Sequence, residues 1–186
     1  MRKRWIWALV LPVAAVAAAV AAYAGPVRAT PQLCFSSTPL LGARPGTFGE
    51  IVSKVKTEVP QEWEEEIKTE GASDLYVQQN TWTSLSACGG HTASTGWHTH
   101  PGPSLVTVTE GSVAVYDGDD PTCTPHVYTA GTANNAFVDP GGGHVHLIRN
   151  ATDAEAQTIA VQLVPAGTTM RRQDASDPGN CSFPSP

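Results

Sequence analysis

Basic residues are scarce in this chain. Eleven Lys and Arg stand against seventeen Asp and Glu, and three of the eleven, Arg2, Lys3 and Arg4, crowd the N-terminus. Beyond them eight remain against seventeen, a net charge near −9. No basic stripe is left, which argues against nucleic acid as a partner. Acidity of this kind implies solubility. The four cysteines include no C-x-x-C pair, which argues against zinc ribbons and thioredoxin-like chemistry. No internal repeat of solenoid period is visible. Nothing after Asp74 has the periodicity of a long helix.

The N-terminus is a targeting segment. A positive n-region is followed by an apolar run from Trp5 to Ala24, and Ala22-Tyr23-Ala24 is an A-x-A cleavage site before Gly25. A second cut can follow Ala29. An uncleaved anchor is the alternative, but alanine inserts weakly and Pro12 interrupts the run. The expected organisation is a signal peptide over 1–24, an extended Pro-rich lead-in over 25–49, a β-domain over 50–165 and a C-terminal tail over 166–186. The mature protein is expected outside the cytoplasm, without stable membrane association. Cys34, Cys88, Cys123 and Cys181 then read as two disulfides. Cys123 and Cys181 both lie in Pro-rich, turn-like segments, so they are expected to pair and staple the tail to a hairpin loop. Cys34 then pairs with Cys88.

From Asp74 onward short apolar-alternating runs are punctuated by Gly and Pro. Strands are expected near 75–82, 95–100, 104–109, 112–116, 126–129, 135–138, 144–148 and 157–164, with another near 50–56. Residues 112–116 are expected as the hairpin partner of 104–109, across Glu110 and Gly111. Residues 58–70 allow either a short helix started by Pro60 or an extended segment; extended is preferred. Serial short strands with such turns imply a single antiparallel β-barrel or sandwich.

Two His-x-His pairs stand in this β region: His98-Thr99-His100 and His144-Val145-His146. In a strand, side chains at i and i+2 point to one face. Each pair therefore aims two imidazoles at one place. Neutral imidazole is the commonest metal ligand, and three or four converging make a divalent transition-metal site. His91, in a Gly-rich turn, and His126 read as exposed or structural. Glu110 reads as a solvated turn residue. Trp97 could wall the pocket or sit in a core. Asn150-Ala151-Thr152 and Asn180-Cys181-Ser182 match the glycosylation sequon, a pattern common by chance.

These residues resemble the motifs of the cupin superfamily. Its first motif runs G, five residues, H-x-H, three or four residues, E, six residues, G. His98 and His100 supply H-x-H and Gly111 the final glycine. Ser104 stands where the family usually has Glu, and Thr92 where the leading Gly is expected. In the second motif, P-x-G, two residues, H, three residues, N, His146 and Asn150 match. Pro140 and the glycines after it fit with one extra residue. The resemblance covers about 74–164, and the inter-motif spacing is that of small single-domain cupins.

The resemblance implies an all-β jelly roll with a metal inside, held by His98, His100 and His146. His144 is then a neighbour or an alternative ligand. Ser104 is a poor ligand when neutral, so a three-histidine site would be open, as catalytic sites are. Zinc, iron, manganese and nickel fit these residues equally.

Three functions follow. One is a secreted metal-binding cupin. Another is a metal-dependent dioxygenase or other oxidoreductase acting on a small organic molecule. The third is a non-catalytic module for a sugar or small acid, with a weak or absent metal. The expected partners are a small-molecule ligand or substrate and, in a homodimer, a second copy of the chain. N-terminal sequencing of the exported protein should begin at Gly25. Recovery of Met1 or Arg2 on membrane-bound protein would favour the anchor.

Overall fold

The computed structural model describes residues 30–42 and 44–183. The expected signal peptide, 1–24, lies outside them. Among the described residues there are thirteen strands and no helix. They are β1 (Phe35–Pro39), β2 (Gly46–Phe48), β3 (Val52–Thr57), β4 (Trp63–Lys68), β5 (Ser73–Trp82), β6 (His98–Thr99), β7 (Ser104–Glu110), β8 (Ser112–Asp117), β9 (His126–Thr129), β10 (Ala136–Asp139), β11 (His146–Asn150), β12 (Ala156–Pro165) and β13 (Gln173–Asp174).

The strands form two main antiparallel sheets. One has the order β1-β5-β12-β7-β10, with β2 also on β5; the other runs β13-β6-β11-β8-β9. β3 and β4 make a separate hairpin, so residues 63–68 are extended. The ladders remain two sheets and do not close into one continuous hydrogen-bonded barrel.

Alternation explains the packing. Along β12, Ala156, Thr158, Ala160, Gln162 and Val164 are buried, while the residues between them are half-buried on the other face. An inner apolar cluster joins Trp82, Val108 and Ala156 of the first sheet to Val113, Val115 and Ile148 of the second. Both faces of the second sheet are covered. Leu147 and the fully buried Trp97 pack behind it against Cys181 of the tail, with Tyr116 and Phe183 beside them. Burying such an indole contributes about 4–6 kcal/mol before the entropy of ordering it.

One sequence expectation changes here. β7 and β8 are not hairpin partners: β7 pairs β12 and β10, whereas β8 pairs β11 and β9. Both strands carry inward apolar residues at period two, so alternation alone could not assign them to a sheet. Gly111 is instead the corner where the chain crosses between sheets. Its φ is +65°, and a Cβ would collide with the Glu155 carbonyl. The lead-in supplies edge strands, since β1 and β2 both pair β5. The tail likewise adds β13, which pairs β6.

Disulfides join Cys34 to Cys88 and Cys123 to Cys181. The second closes a 58-residue separation and holds the tail against the back of the second sheet. Replacing both Cys123 and Cys181 by Ser should lower unfolding stability by about 2–5 kcal/mol. Denaturant titration reads this, and an unchanged midpoint would show that the tail is held by packing alone.

Candidate metal centre

β6 and β11 are neighbours, and His98 lies directly opposite His146 in their register. His100 follows just past the end of β6. Its ring and that of His98 are perpendicular, edge to face, at a centroid distance of 4.9 Å, and the rings of His98 and His146 are 4.3 Å apart. Ligand nitrogens of these three side chains lie within 4.8 Å of one another. His98 and His146 are 4% and 2% exposed, and His100 is half-buried.

Two turns hold the ligand-bearing segments together. Gly141 has φ +66°, and a Cβ there would collide with the carbonyl of Gly102. The Gly142 N–H donates to the His100 carbonyl at 2.8 Å. The glycine-rich turn 140–143 is thus pressed onto the Pro101–Pro103 turn. That contact fixes where His100 leaves its strand.

The backbone also sets the tautomers. His98 Nδ1 meets the Gly96 carbonyl at 2.9 Å, His100 Nδ1 the Arg171 carbonyl at 2.7 Å and His146 Nδ1 the His144 carbonyl at 3.4 Å. A carbonyl oxygen only accepts, so each Nδ1 carries the hydrogen. In the neutral ring Nε2 then keeps its lone pair. Burial holds His98 and His146 well below the ordinary histidine range, and for His98 the charges of His146 and His100 add to it. His100 is also lowered by burial, against the opposing pull of the Arg171 carbonyl and Asp139. Three neutral imidazoles with ligand nitrogens this close together fit a divalent transition ion. Each N–H anchored on backbone is the outer support that orients such ligands.

The three histidines line a cavity of about 380 Å³ between the two sheets. Ser37, Gln78, Asn80, Thr158 and Gln162 add polar wall, and Trp82, Val106 and Ile148 apolar wall. Ser104 is buried there and accepts from Gln162 Nε2 at 3.3 Å. The tail residues Thr169 to Arg172 also line it. The Arg171 guanidinium lies 4.1 Å from the Tyr76 ring centre and donates to Gln78 and Gln162.

Other sequence candidates fall elsewhere. Trp97, in the bend just before β6, belongs to the cluster behind the second sheet and does not line this cavity. His144 lies outside the cavity lining, between Asp117 at 3.3 Å and Asp139 at 3.7 Å, and with His146 and Asp139 it forms a second group whose ligand atoms lie within 4.8 Å of one another. His91 and Glu110 are exposed, and the His126 side chain is 63% exposed. Asn150 is buried. Its amide donates to the Thr83 and Ala154 carbonyls, so this sequon is structural.

Two parts of the site escaped the sequence reading. Asp139 is 4% exposed at the end of β10 and faces the cavity. The tail's Arg171 is the other. For Asp139 a signal existed: it shares parity with Phe137, the inward aromatic of the same short strand. For Arg171 none did, because nothing local says that a tail folds back over a pocket.

No family model matches the chain, and no curated protein matches it in sequence. Among solved structures it is similar to a cupin superfamily protein from Desulfitobacterium hafniense, at 8% identity and TM-score 0.38, over 66% of this chain and 82% of that one. It is similar to a cupin domain from Bordetella pertussis, at 18% identity and TM-score 0.36, over 64% of this chain and 95% of that one. An oxalate oxidase is similar at 18% identity and TM-score 0.37, over 50% of this chain and only 46% of that one. Cupin proteins recur among these neighbours. At this degree of likeness they fix neither a substrate nor an activity.

The lowered histidines make the metal-free protein acid-sensitive. Below the ordinary value of 6.5 the unfolded chain takes up protons that the folded histidines refuse. Their contribution is therefore complete above that value and is lost as pH falls beneath it. Each buried histidine costs up to about 1.4 kcal/mol per pH unit in that window. Urea midpoints of the metal-free protein should fall between about pH 7.5 and about pH 5. A flat profile would mean that the imidazoles are solvated.

Proposed function

We propose that this is an exported cupin-domain protein. It binds one divalent transition metal through His98, His100 and His146 and takes a small organic molecule into the cavity beside the ion. The observation that carries this reading is the set of three imidazoles, two buried and one half-buried, with Nδ1 turned to backbone carbonyls and ligand nitrogens within 4.8 Å of one another. The two disulfides support an extracytoplasmic setting. A bound ion of this class supplies Lewis acidity and, for iron or manganese, redox chemistry.

The chain's own residues define what could enter. Gln78, Asn80, Gln162 and Thr158 offer amide and hydroxyl contacts, while Val106 and Ile148 exclude water from one wall. Arg171 is fixed by neutral amides and by Tyr76, and among the described residues no carboxylate forms an ion pair with it. A polar molecule bearing an anionic group, such as a small acid, suits that lining. A metal-dependent oxidoreductase is the catalytic form of the reading, favoured by the open positions of a three-histidine ion. A sugar- or acid-binding module without turnover is the second form, favoured by the amide-rich wall.

Purified wild type should carry about one equivalent of metal by elemental analysis, and His98→Ala or His146→Ala should lose most of it. Two imidazoles and water bind far more weakly than three imidazoles. Wild type free of stoichiometric metal, with small-molecule binding unchanged in His146→Ala, would leave the module without metal as the function.

A further inference from the structure

A second cavity, of about 450 Å³, lies against the outer face of the second sheet, away from the three histidines of the metal reading. Alternation along β11 puts it there. His146 and Ile148 line the space between the sheets, so Leu147 and Arg149 face outward. Trp97, the tail's Phe183 and Leu33 of the lead-in also line it.

Two polar groups of this lining are unanswered. The Trp97 side chain is fully buried, yet its indole N–H has no acceptor among the described residues. An unpaired buried donor is rare and costly, and it suits an incoming acceptor. The Arg149 guanidinium sits over the Phe183 ring, its carbon 4.4 Å from the ring centre. A guanidinium so placed offers its face to the ring and keeps its N–H edge for acceptors. Among the described residues no carboxylate lies within ion-pair distance of it. Asp177 borders the cavity but is exposed, and its Oδ1 accepts from the Gly179 N–H. Burial lowers Arg149 from its ordinary value, against a smaller opposing effect of Tyr116, as befits a half-buried cation without an anion beside it.

Phe183 brings the two groups together. Its ring centre is 6.4 Å from that of Trp97, and the guanidinium lies over the same ring. The Cys123–Cys181 disulfide and the Tyr116 ring, 5.0 Å away, hold Phe183 in place. Leu33 and Leu147 add apolar wall. The lining thus combines one cation, one buried donor and apolar sides. A planar carboxylate matches the guanidinium fork with two parallel hydrogen bonds, and the apolar wall suits a hydrocarbon body.

We propose that this cavity is a second ligand site, separate from the metal centre, for a small carboxylic acid with an apolar body. The carboxylate sits on the Arg149 guanidinium and accepts from the Trp97 indole N–H. The body lies against Leu33, Leu147 and Phe183. Nothing in this assignment depends on a bound metal.

The test is a titration of the folded, disulfide-bonded protein with benzoate, read by the indole N–H resonances in heteronuclear NMR. The Trp97 resonance is assigned by its loss in Trp97→Phe. It should move saturably, because a carboxylate at that N–H deshields the proton. Trp82 is the internal control. It lines the cavity between the sheets, and its N–H already donates to the Ile148 carbonyl at 3.3 Å, so its resonance should stay in place. Benzamide, of similar shape without the charge, should move Trp97 little at the same concentration. Arg149→Gln should weaken benzoate binding at least about tenfold, and Arg149→Lys less, since lysine keeps the charge but not the fork. If Arg149→Gln does not fold, the contrast between benzoate and benzamide in wild type reads the same point. A Trp97 resonance unmoved at about 10 mM benzoate, or a shift at Trp82 in its place, would overturn the assignment. So would an equal response to benzamide, or wild-type affinity in folded Arg149→Gln.

Discussion

The cross-strand pair His98–His146 is the constraint on which the site depends. β6 is two residues long, yet it is held on both edges, by β13 and by β11. A slip of one residue in β11 would turn Leu147 into the cavity and send His146 into the cluster behind the sheet. Burial on both faces resists that slip. Leu147 fits the outer cluster with Trp97, while Ile148 fits the inner cluster with Trp82 and Val115. The packing of ordinary apolar side chains therefore sets the aim of the imidazoles.

The tail is part of the same arrangement. Its disulfide to Cys123 and the packing of Phe183 against Tyr116 hold it on the second sheet. From there β13 pairs β6, and the Arg171 carbonyl fixes the His100 ring. Arg171 itself borders the cavity. One segment thus supports a ligand strand, orients a ligand and lines the entrance. Coupling of this kind places a site on paired strands rather than free loops, so less ordering is left for the moment of binding.

Much of this was legible in the residues. Period-two alternation located most strands within a few residues, and the i, i+2 histidines announced their shared face. The pairing of strands was harder. Alternation says which side chains face inward but not which neighbour they meet, and so β7 and β8 looked like a hairpin when Gly111 turns the chain from one sheet to the other. Asp139 was hidden for a related reason. A single acidic residue before Pro140 and its glycines reads as a turn, and only the register with Ser104 brings it to the cavity. Trp97, one position from a ligand, lies in the bend before β6 and packs in the cluster behind the second sheet, a placement that no strand periodicity could announce.

The central claim is that three imidazoles share one ion. X-ray absorption at the metal edge of protein loaded with one equivalent of zinc measures this directly. The account requires a shell of nitrogen and oxygen at about 2.0–2.1 Å, with outer-shell scattering from three imidazole rings. A shell with one imidazole or none, the rest being water or carboxylate oxygen, would contradict it.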